Sequence, residues 1–394
     1  MAKIGIYGGS FNPPHLGHLL AAEACRQQLG LDRVLLIPAA VPPHKALAEG
    51  SPDAETRLLL TRLAAQDHPG FEVSDLELRR EGPSYTVDTL QTLHEMLPDD
   101  ELYLMMGTDM YLSFQQWRQP EKIAELATLV CFSRYEQQKQ ELLVQQKHLE
   151  EAYGRESVVL LTTCMEISST EIRRLLTFDC ADSYLSPAVL QEIRARRLYG
   201  WGRELRGLDY DRLRAESLAL HKQSRMAHAE GCAETAAALA ERYGADAVLA
   251  RRAGILHDVT KALTPEQQAM MAARWGAPLT PEQLESPQLL HAVTGALAAE
   301  KLFGECDAVV QAIRTHTTGA ADMTLLQKIL YIADYVEPTR SFPGVEALRA
   351  AVRRDLDEGV MQGLASTLEL LASRGQTASR ETQEALEFLK RKEC

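Results

Sequence analysis

A glycine-rich stretch near the start of the chain constrains its fold more than any other feature. Residues 8–18 read Gly-Gly-Ser-Phe-Asn-Pro-Pro-His-Leu-Gly-His, and they connect the short apolar run Ile4–Tyr7 to a segment typical of a helix. A strand, a glycine turn and a helix in this order place backbone N–H groups and the positive helix end at the tip of a parallel strand, where phosphate binds. Because glycine has no Cβ, Gly8 and Gly9 let the backbone approach such a ligand closely.

Two histidines distinguish this stretch from an ordinary phosphate-binding loop. His15 and His18 are three residues apart at the start of the helix and therefore share one face. The alternative is that both are capping or core histidines, but the rigid Pro13-Pro14 pair before them favours a functional loop. We therefore expect a substrate site formed by His15, His18, Gly8, Gly9, Ser10 and Phe11.

The overall composition limits the partners of the chain. Its 394 residues suggest at least two domains, and a formal charge of −13 disfavours nonspecific nucleic-acid binding. No apolar run approaches the ~20 residues that span a bilayer, and the first strand begins too early for a signal peptide. The seven cysteines are scattered, without a Cys-x-x-Cys pair, as in reduced cytoplasmic proteins. We expect a cytoplasmic protein that binds neither nucleic acid nor membrane; the oligomeric state stays open, a homodimer included.

Residues 1–200 alternate between short apolar runs and amphipathic helical segments. The predicted strands are Ile4–Tyr7, Val34–Ile37, Phe71–Ser74, Leu102–Met106, Thr128–Phe132 and Val158–Leu161, with helices such as Glu55–Ala65 and Thr86–Met96 between them. This order predicts an α/β domain with a doubly wound parallel sheet, similar to a Rossmann fold, and a ligand at the carboxyl edge of the strands.

Several polar residues follow these strands and are expected at the same edge. Lys45 lies in a Pro-Pro-His-Lys segment after the second strand, and Asp109 follows the fourth. After the sixth strand, the helix-capping residues Ser168, Ser169 and Thr170 precede Arg173, which predicts a second anion site. The Ser-Ser-Thr-Glu pattern is also an ordinary capping box, so both interpretations stay open.

Taken together, these motifs resemble the bacterial nicotinate-mononucleotide adenylyltransferases of the nucleotidylyltransferase superfamily. The resemblance rests on residues 8–18, 42–45, 82–90 (Gly-Pro-Ser-Tyr-Thr-Val-Asp-Thr-Leu), Trp117 and 167–173 (Ile-Ser-Ser-Thr-Glu-Ile-Arg). It implies transfer of the adenylyl group of ATP to nicotinate mononucleotide, giving deamido-NAD and pyrophosphate, with Mg²⁺ bridging phosphate oxygens.

The charges of these two substrates suggest how the residues divide the work. Two anions must approach each other, so positioning and charge neutralisation should carry the transfer. We assign His15 and His18 to the transferring phosphates, and Lys45 and Arg173 to the triphosphate tail.

The nicotinate end of the site is implied by the resemblance. Tyr85, Thr86 and Trp117 are expected to frame the nicotinate ring, and Asp109 is either a ribose contact or a loop carboxylate that caps a turn. Nicotinamide mononucleotide, which lacks the carboxylate, is the competing substrate.

The pattern changes after a glycine-rich linker at residues 201–207. Residues 208–394 show helical periodicity almost throughout and predict an all-α domain. Metal-ligand residue types recur in this half: His228, His257, Asp258, His291, His316 and Asp334. Both aspartates follow apolar runs, where a carboxylate needs a cation nearby. Four imidazoles and two carboxylates can enclose two metals, with Asp258 bridging them.

This order of ligands resembles the HD-domain metal phosphohydrolases. The segments Gly-Ile-Leu-His-Asp-Val-Thr-Lys, His-Thr-Thr-Gly and Ile-Ala-Asp-Tyr-Val-Glu-Pro-Thr-Arg are similar to the family that cleaves diadenosine tetraphosphate symmetrically into two ADP at a di-iron centre. Lys261, four residues after His257 and placed on the same helix face, is expected to contact phosphate. Thr317 and Arg340 are further candidates, although Arg340 fits a surface ion pair equally well. A different nucleotide substrate and a non-catalytic sensing module remain the alternatives.

Overall fold

The chain forms two compact units in the computed structural model, which describes residues 1–43, 46–133, 138–162, 165 and 167–392. The first unit comprises residues 1–177 and 181–203, and the second comprises residues 178–180 and 204–394. No helix of the described residues is long and apolar enough to cross a bilayer.

A parallel sheet organises the first unit. The described strands are β1 (Lys3–Gly9), β2 (Arg33–Pro38), β3 (Phe71–Val73), β4 (Glu101–Gly107), β5 (Thr128–Ser133) and β6 (Ser157–Leu161). They lie in the order β3-β2-β1-β4-β5-β6, and every neighbouring pair is parallel. The order reverses direction between β1 and β4, and such a switch point opens the crevice in which doubly wound proteins bind ligands.

Helices connect these strands. In the first unit they are α1 (Leu16–Leu29), α2 (Ala54–Ala65), α3 (Thr86–Met96), α4 (Thr108–Leu112), α5 (Pro120–Leu126), α6 (Lys139–Tyr153), α7 (Ser169–Thr177) and α8 (Pro187–Arg196). The central strands are apolar on both faces because helices cover both; Ile4, Ile6 and Leu104, for example, are all buried in the core. The predicted α/β fold class is confirmed.

All regular secondary structure in the described residues of the second unit is helical. Its helices are α9 (Tyr210–Leu220), α10 (Gln223–Tyr243), α11 (Ala247–Leu256), α12 (Pro265–Arg274), α13 (Pro281–Glu285), α14 (Pro287–Lys301), α15 (Asp307–Thr315), α16 (Leu325–Val336), α17 (Val345–Arg354), α18 (Leu356–Ser373) and α19 (Arg380–Lys392). Pro265, Pro281 and Pro287 each occupy the first turn of a helix, where the missing N–H costs nothing. The predicted all-α domain is confirmed.

Candidate nucleotide and metal sites

The glycine–histidine loop follows β1 at the switch point of the sheet, and two arginines, one buried and one half-buried, hold its backbone. The guanidinium of Arg57, from α2, is 1% exposed; it donates to the carbonyl oxygens of Ser10 (2.8 Å) and Ala40 (3.0 Å). Arg173, from α7, donates to the carbonyl oxygen of Asn12 at 2.7 Å. Arginines from two different helices therefore hold the backbone of this loop by hydrogen bonds.

The two histidines of this loop differ in accessibility. His15 is 2% exposed, whereas His18 is half-buried, and their rings stack with centroids 3.6 Å apart. The Nδ1 atom of His18 accepts the backbone N–H of His15 at 3.2 Å, so a neutral His18 ring carries its proton on Nε2. His18 thus accepts a capping hydrogen bond through Nδ1 and has an N–H at Nε2 that suits a phosphate oxygen. The buried ring of His15 stacks against it.

The remaining loop residues support this arrangement. Phe11 is buried, adopts a φ of 43°, and packs edge-on against the His18 ring at a centroid distance of 5.1 Å. A Cβ on Gly17 would lie 3.0 Å from both His15 Nδ1 and the Met165 carbonyl oxygen, so a larger residue at this position of the motif would require these neighbours to move.

The start of α7 joins the same loop. Ser169 donates its hydroxyl to the Pro13 carbonyl oxygen at 2.9 Å, and Arg173 contacts the Thr170 hydroxyl at 3.1 Å. Ser168 and Glu171 form the reciprocal capping box that the sequence allowed as an alternative, with hydrogen bonds of 2.7–3.2 Å. The helix start is therefore a structural cap as well as part of the loop's support, and an anion-binding role for it stays a prediction.

The residues predicted at the nicotinate end also lie near one another. The Ser84 backbone N–H donates to the Val41 carbonyl oxygen at 2.9 Å, which brings the segment around Tyr85 beside the end of β2. Trp117 is half-buried, and the guanidinium of its neighbour Arg118 lies 4.5 Å from the centre of the Tyr85 ring. Helix α3 begins at Thr86, so its first N–H groups can face an anion.

For two further residues predicted in this site, Asp109 and Lys45, the described part of the chain shows no contact that defines a role. Asp109 is exposed in the first turn of α4, and its role as a ribose contact stays a prediction. Lys45 lies outside the described residues.

In the second unit, the six predicted metal ligands converge. His228 comes from α10, His257 caps the carboxyl end of α11, His291 comes from α14, His316 caps α15 and Asp334 comes from α16. Ligand atoms of His228, His257 and Asp334 lie within 4.8 Å of one another, as do those of His257, Asp258 and His316. All six residues are buried.

The carboxylate of Asp258 lies between two pairs of histidines. Its Oδ2 atom is 3.5 Å from His257 Nε2 and 3.6 Å from His228 Nε2. Its Oδ1 atom is 3.2 Å from His291 Nε2 and 3.7 Å from His316 Nε2. Asp334 Oδ1 joins the first pair, 3.1 Å from His228 Nε2. This is the placement that a carboxylate bridging two ions requires.

The hydrogen bonds of the four imidazoles test whether the cluster fits metal ions. The Nδ1 atoms of His257, His291 and His316 face backbone carbonyl oxygens at 2.6–3.1 Å, which can only accept, so these atoms carry the ring protons. In the neutral rings, the Nε2 lone pairs then converge with two carboxylates; His291 Nε2 and His316 Nε2 are 3.2 Å apart. Such a set of acceptors is balanced by cations, and imidazole with carboxylate suits divalent transition metals.

The burial and close packing of these groups also shift the pKa values of two of the histidines. Burial disfavours a charged His228, yet the hydrogen bonds that its ring donates to the Asp258 and Asp334 carboxylates outweigh this effect and raise the pKa of His228 to about 9. Burial dominates at His291 and lowers its pKa to about 4.

Three cationic side chains contact the ligand carboxylates. Arg225 pairs with Asp258, Arg340 pairs with Asp334, and Lys261 Nζ lies 3.1 Å from both Asp258 oxygens. Arg340 therefore forms an ion pair with a buried ligand carboxylate rather than a surface ion pair.

The expected helical placement of Lys261 is wrong. Helix α11 ends at Leu256, and the backbone continues in tight turns in which the Lys261 N–H donates to the Asp258 carbonyl oxygen at 2.9 Å. Lys261 consequently reaches Asp258 through a turn and not through helical spacing from His257.

Thr317 follows His316 near the cluster. Its Oγ1 atom is buried and has no hydrogen-bond partner among the described residues. The structure leaves its contact with phosphate as a prediction.

Sequence reasoning missed Arg57 and Arg225. Arg57 belongs to an amphipathic helix and carries no motif, so no local signal identifies it. Arg225 precedes His228 by three residues on α10 and therefore shares its face; this spacing could have revealed it.

Comparisons with known proteins agree with a nucleotidyltransferase unit followed by an HD unit. Residues 6–175 match the cytidylyltransferase-like family model, and residues 225–339 match the HD domain model. A probable nicotinate-nucleotide adenylyltransferase of Geotalea daltonii is 38% identical over 216 residues, which are 51% of this chain and 100% of the relative. One of Thermus thermophilus is 42% identical over 191 residues, 48% of this chain and 94% of the relative. Through this half, the chain belongs to the nicotinate-nucleotide adenylyltransferase family.

The chain is also similar to a solved structure. The crystal structure of a predicted HD superfamily hydrolase involved in NAD metabolism from Clostridium acetobutylicum is 34% identical, with a TM-score of 0.45. It covers 47% of this chain and 98% of that protein.

Proposed function

We propose that the first unit transfers the adenylyl group of ATP to nicotinate mononucleotide, releasing pyrophosphate and forming deamido-NAD. The observation that carries this proposal is the fastened loop at the switch point of the sheet, in a unit that belongs to the nicotinate-nucleotide adenylyltransferase family. The α-phosphorus of ATP is attacked by a phosphate oxygen of the mononucleotide, so both substrates must be held in line while their charges are offset.

The residues of the loop have distinct proposed roles. Both histidines are assigned to the transferring phosphates: His18 donates from Nε2, and the His15 ring stacks against it. Arg173 and Lys45 offset the charge of the triphosphate tail, and Mg²⁺ bound to ATP supplies further charge neutralisation.

At the other end, Trp117 stacks on the nicotinate ring, while Tyr85 and the helix start at Thr86 donate to its carboxylate. Asp109 is placed as a ribose contact.

A substrate comparison tests this assignment. The full chain is incubated with ATP, Mg²⁺ and either nicotinate or nicotinamide mononucleotide, and the dinucleotide product is quantified by chromatography. Donors to a carboxylate reject the uncharged amide, so we expect a preference of about 10² or more for the nicotinate form. Equal rates with both substrates would overturn the assignment.

We further propose that the second unit hydrolyses diadenosine tetraphosphate to two ADP at a pair of metal ions. The observation that supports this proposal is the placement of Asp258 between two pairs of histidines. The proposed metals are iron, held by His228, His257 and Asp334 on one side, by His291 and His316 on the other, and by Asp258 between them. Bound divalent metals supply acidified water and stabilise the charge that develops on a phosphate.

The chain's own cations then position the polyphosphate. Arg225, Lys261 and Arg340 contact the ligand carboxylates, and a metal pair that takes over those carboxylates leaves the cations available to phosphate oxygens. Thr317 is proposed as a further contact, because its buried hydroxyl has no partner among the described residues.

A nucleotide panel combined with metal analysis tests the second activity. Protein purified without oxygen is assayed with diadenosine tetraphosphate, mononucleotides and a guanosine polyphosphate, and ADP is expected as the only product of the first. If only another nucleotide is hydrolysed, that nucleotide becomes the assigned substrate. Metal uptake without any turnover would favour a sensing module. His257→Ala should remove the ion of its own half and abolish turnover with it.

The boundary between the activities is also a proposal. Residues 1–200 are assigned to adenylyl transfer, 201–207 to a linker and 208–394 to hydrolysis. Separate expression of 1–200 and 208–394 tests it, because each fragment should retain one activity.

A further inference from the structure

The four histidines of the metal cluster are oriented by different kinds of partner. His257, His291 and His316 donate Nδ1–H to the carbonyl oxygens of Gly254, Pro287 and Ile313, three or four residues earlier in the chain. His228 instead faces the Glu337 carboxylate, with 2.9 Å between Nδ1 and Oε1. Of the four, only His228 has an orienting partner that is a charged side chain.

Glu337 is held firmly in this position. Its side chain is 0% exposed and follows α16 directly. The Thr339 backbone N–H donates to Oε2 at 2.7 Å, and the Thr339 hydroxyl donates to Oε1 at 2.5 Å. Buried and acceptor-only, this carboxylate is fixed by donors on one side and by His228 on the other.

A glycine on α10 leaves room for the Glu337 carboxylate. Gly231 lies on α10 three residues after His228, and a Cβ at this position would come within 2.5 Å of Glu337 Oε2. Any larger residue at Gly231 would displace the carboxylate from His228.

We propose that Glu337 is a positioning residue that sets the orientation and basicity of His228 as a metal ligand. A carboxylate that accepts Nδ1–H fixes the tautomer with its lone pair on Nε2 and makes that lone pair a stronger donor than a carbonyl acceptor does. The inference rests on the proposed metal site but not on any particular substrate. With this role, residues 334–337 supply both a metal ligand, Asp334, and the carboxylate of Glu337 that orients a second ligand, His228.

Metal titration of the full chain tests the proposal without an activity assay. Metal-free wild type, Glu337→Gln and Glu337→Ala are titrated with Co²⁺, and binding is followed by its visible absorption. Removing a carboxylate partner of a histidine ligand typically weakens metal binding 10–100-fold, so we expect this loss in Glu337→Ala and a smaller one in Glu337→Gln. Glu305→Gln is the matched control, because the Glu305 side chain is a buried carboxylate paired with Arg252; its affinity should stay within twofold of wild type.

Gly231→Ala provides a second, independent variant. It leaves Glu337 in the sequence but crowds its carboxylate, so Co²⁺ affinity should fall at unchanged helix content by circular dichroism. Wild-type affinity in both folded Glu337 variants would overturn the proposal, as would an equal loss in Glu305→Gln. Failure to hydrolyse diadenosine tetraphosphate would instead affect only the substrate assignment, since Co²⁺ binding is measured without nucleotide.

Discussion

Oδ1 of Asp258 lies 3.2 Å from Nε2 of His291, while its other oxygen faces His228 and His257. One buried carboxylate therefore serves both halves of the cluster. The proposed metal pair depends on this residue more than on any other ligand.

Asp258→Asn should abolish binding of both metal ions. An amide offers one neutral oxygen in place of two charged ones, so neither half retains its shared anionic ligand. His291→Ala, in contrast, removes a ligand from one half and should leave one ion bound. Metal content of the anaerobically purified variants measures both outcomes, and retention of two ions by Asp258→Asn would contradict the bridging role.

His18→Ala should lower kcat for adenylyl transfer by about 10²–10³, because a donor to the transferring phosphate is lost. The measurement is the initial rate of deamido-NAD formation at saturating ATP. His94→Ala serves as the control, since His94 is an exposed residue of α3. Hydrolysis by the second unit should be unchanged, and a kcat equal to that of the control would exclude the proposed role.

Arg57→Met should destabilise the first unit by about 2–6 kcal/mol, because two carbonyl oxygens lose a buried donor and each unsatisfied group costs about 1–3 kcal/mol. Hydrogen exchange of peptides from β1 and β2 reports the loss separately from the second unit. Arg62→Met, on the exposed face of the same helix, should leave exchange unchanged. Equal exchange in the two variants would show that Arg57 does not hold the loop.

Glu77 should make the stability of the first unit depend on pH. Burial raises the pKa of this carboxyl above its ordinary value of 4.5. Hydrogen bonds such as the one that Thr89 donates lower the pKa, but burial has the larger effect. The folded state then binds the proton more readily than the unfolded state, so the free energy of unfolding falls as pH rises from 4.5 through the folded pKa.

Glu77→Gln removes that loss because the amide stays neutral. Its stability relative to wild type should therefore increase between pH 4.5 and pH 7.5, as measured by hydrogen exchange of β-strand peptides at both values. Glu95→Gln, an exposed change on α3, should show no such trend. A difference that is flat with pH would contradict the raised pKa.

Patterns within short segments predicted much of this protein. Each predicted strand lies within two residues of an observed one, because a buried parallel strand is a short apolar run bounded by turns. The alternation of strands and helices then fixed the parallel sheet, and with it the edge at which the glycine–histidine loop lies. The metal-ligand residue types were visible in the same way, since Asp258 and Asp334 stand out at the ends of apolar runs.

Tertiary structure alone decided how these residues act on one another. It buried His15 beneath His18, turned Arg173 toward a loop carbonyl, and brought Arg57 to the loop from a helix without a motif. It also joined Glu337 to His228 across 109 positions of sequence. Periodicity reports which face of an element is buried, but a hydrogen bond between distant residues depends on how the elements pack, and no local pattern records that.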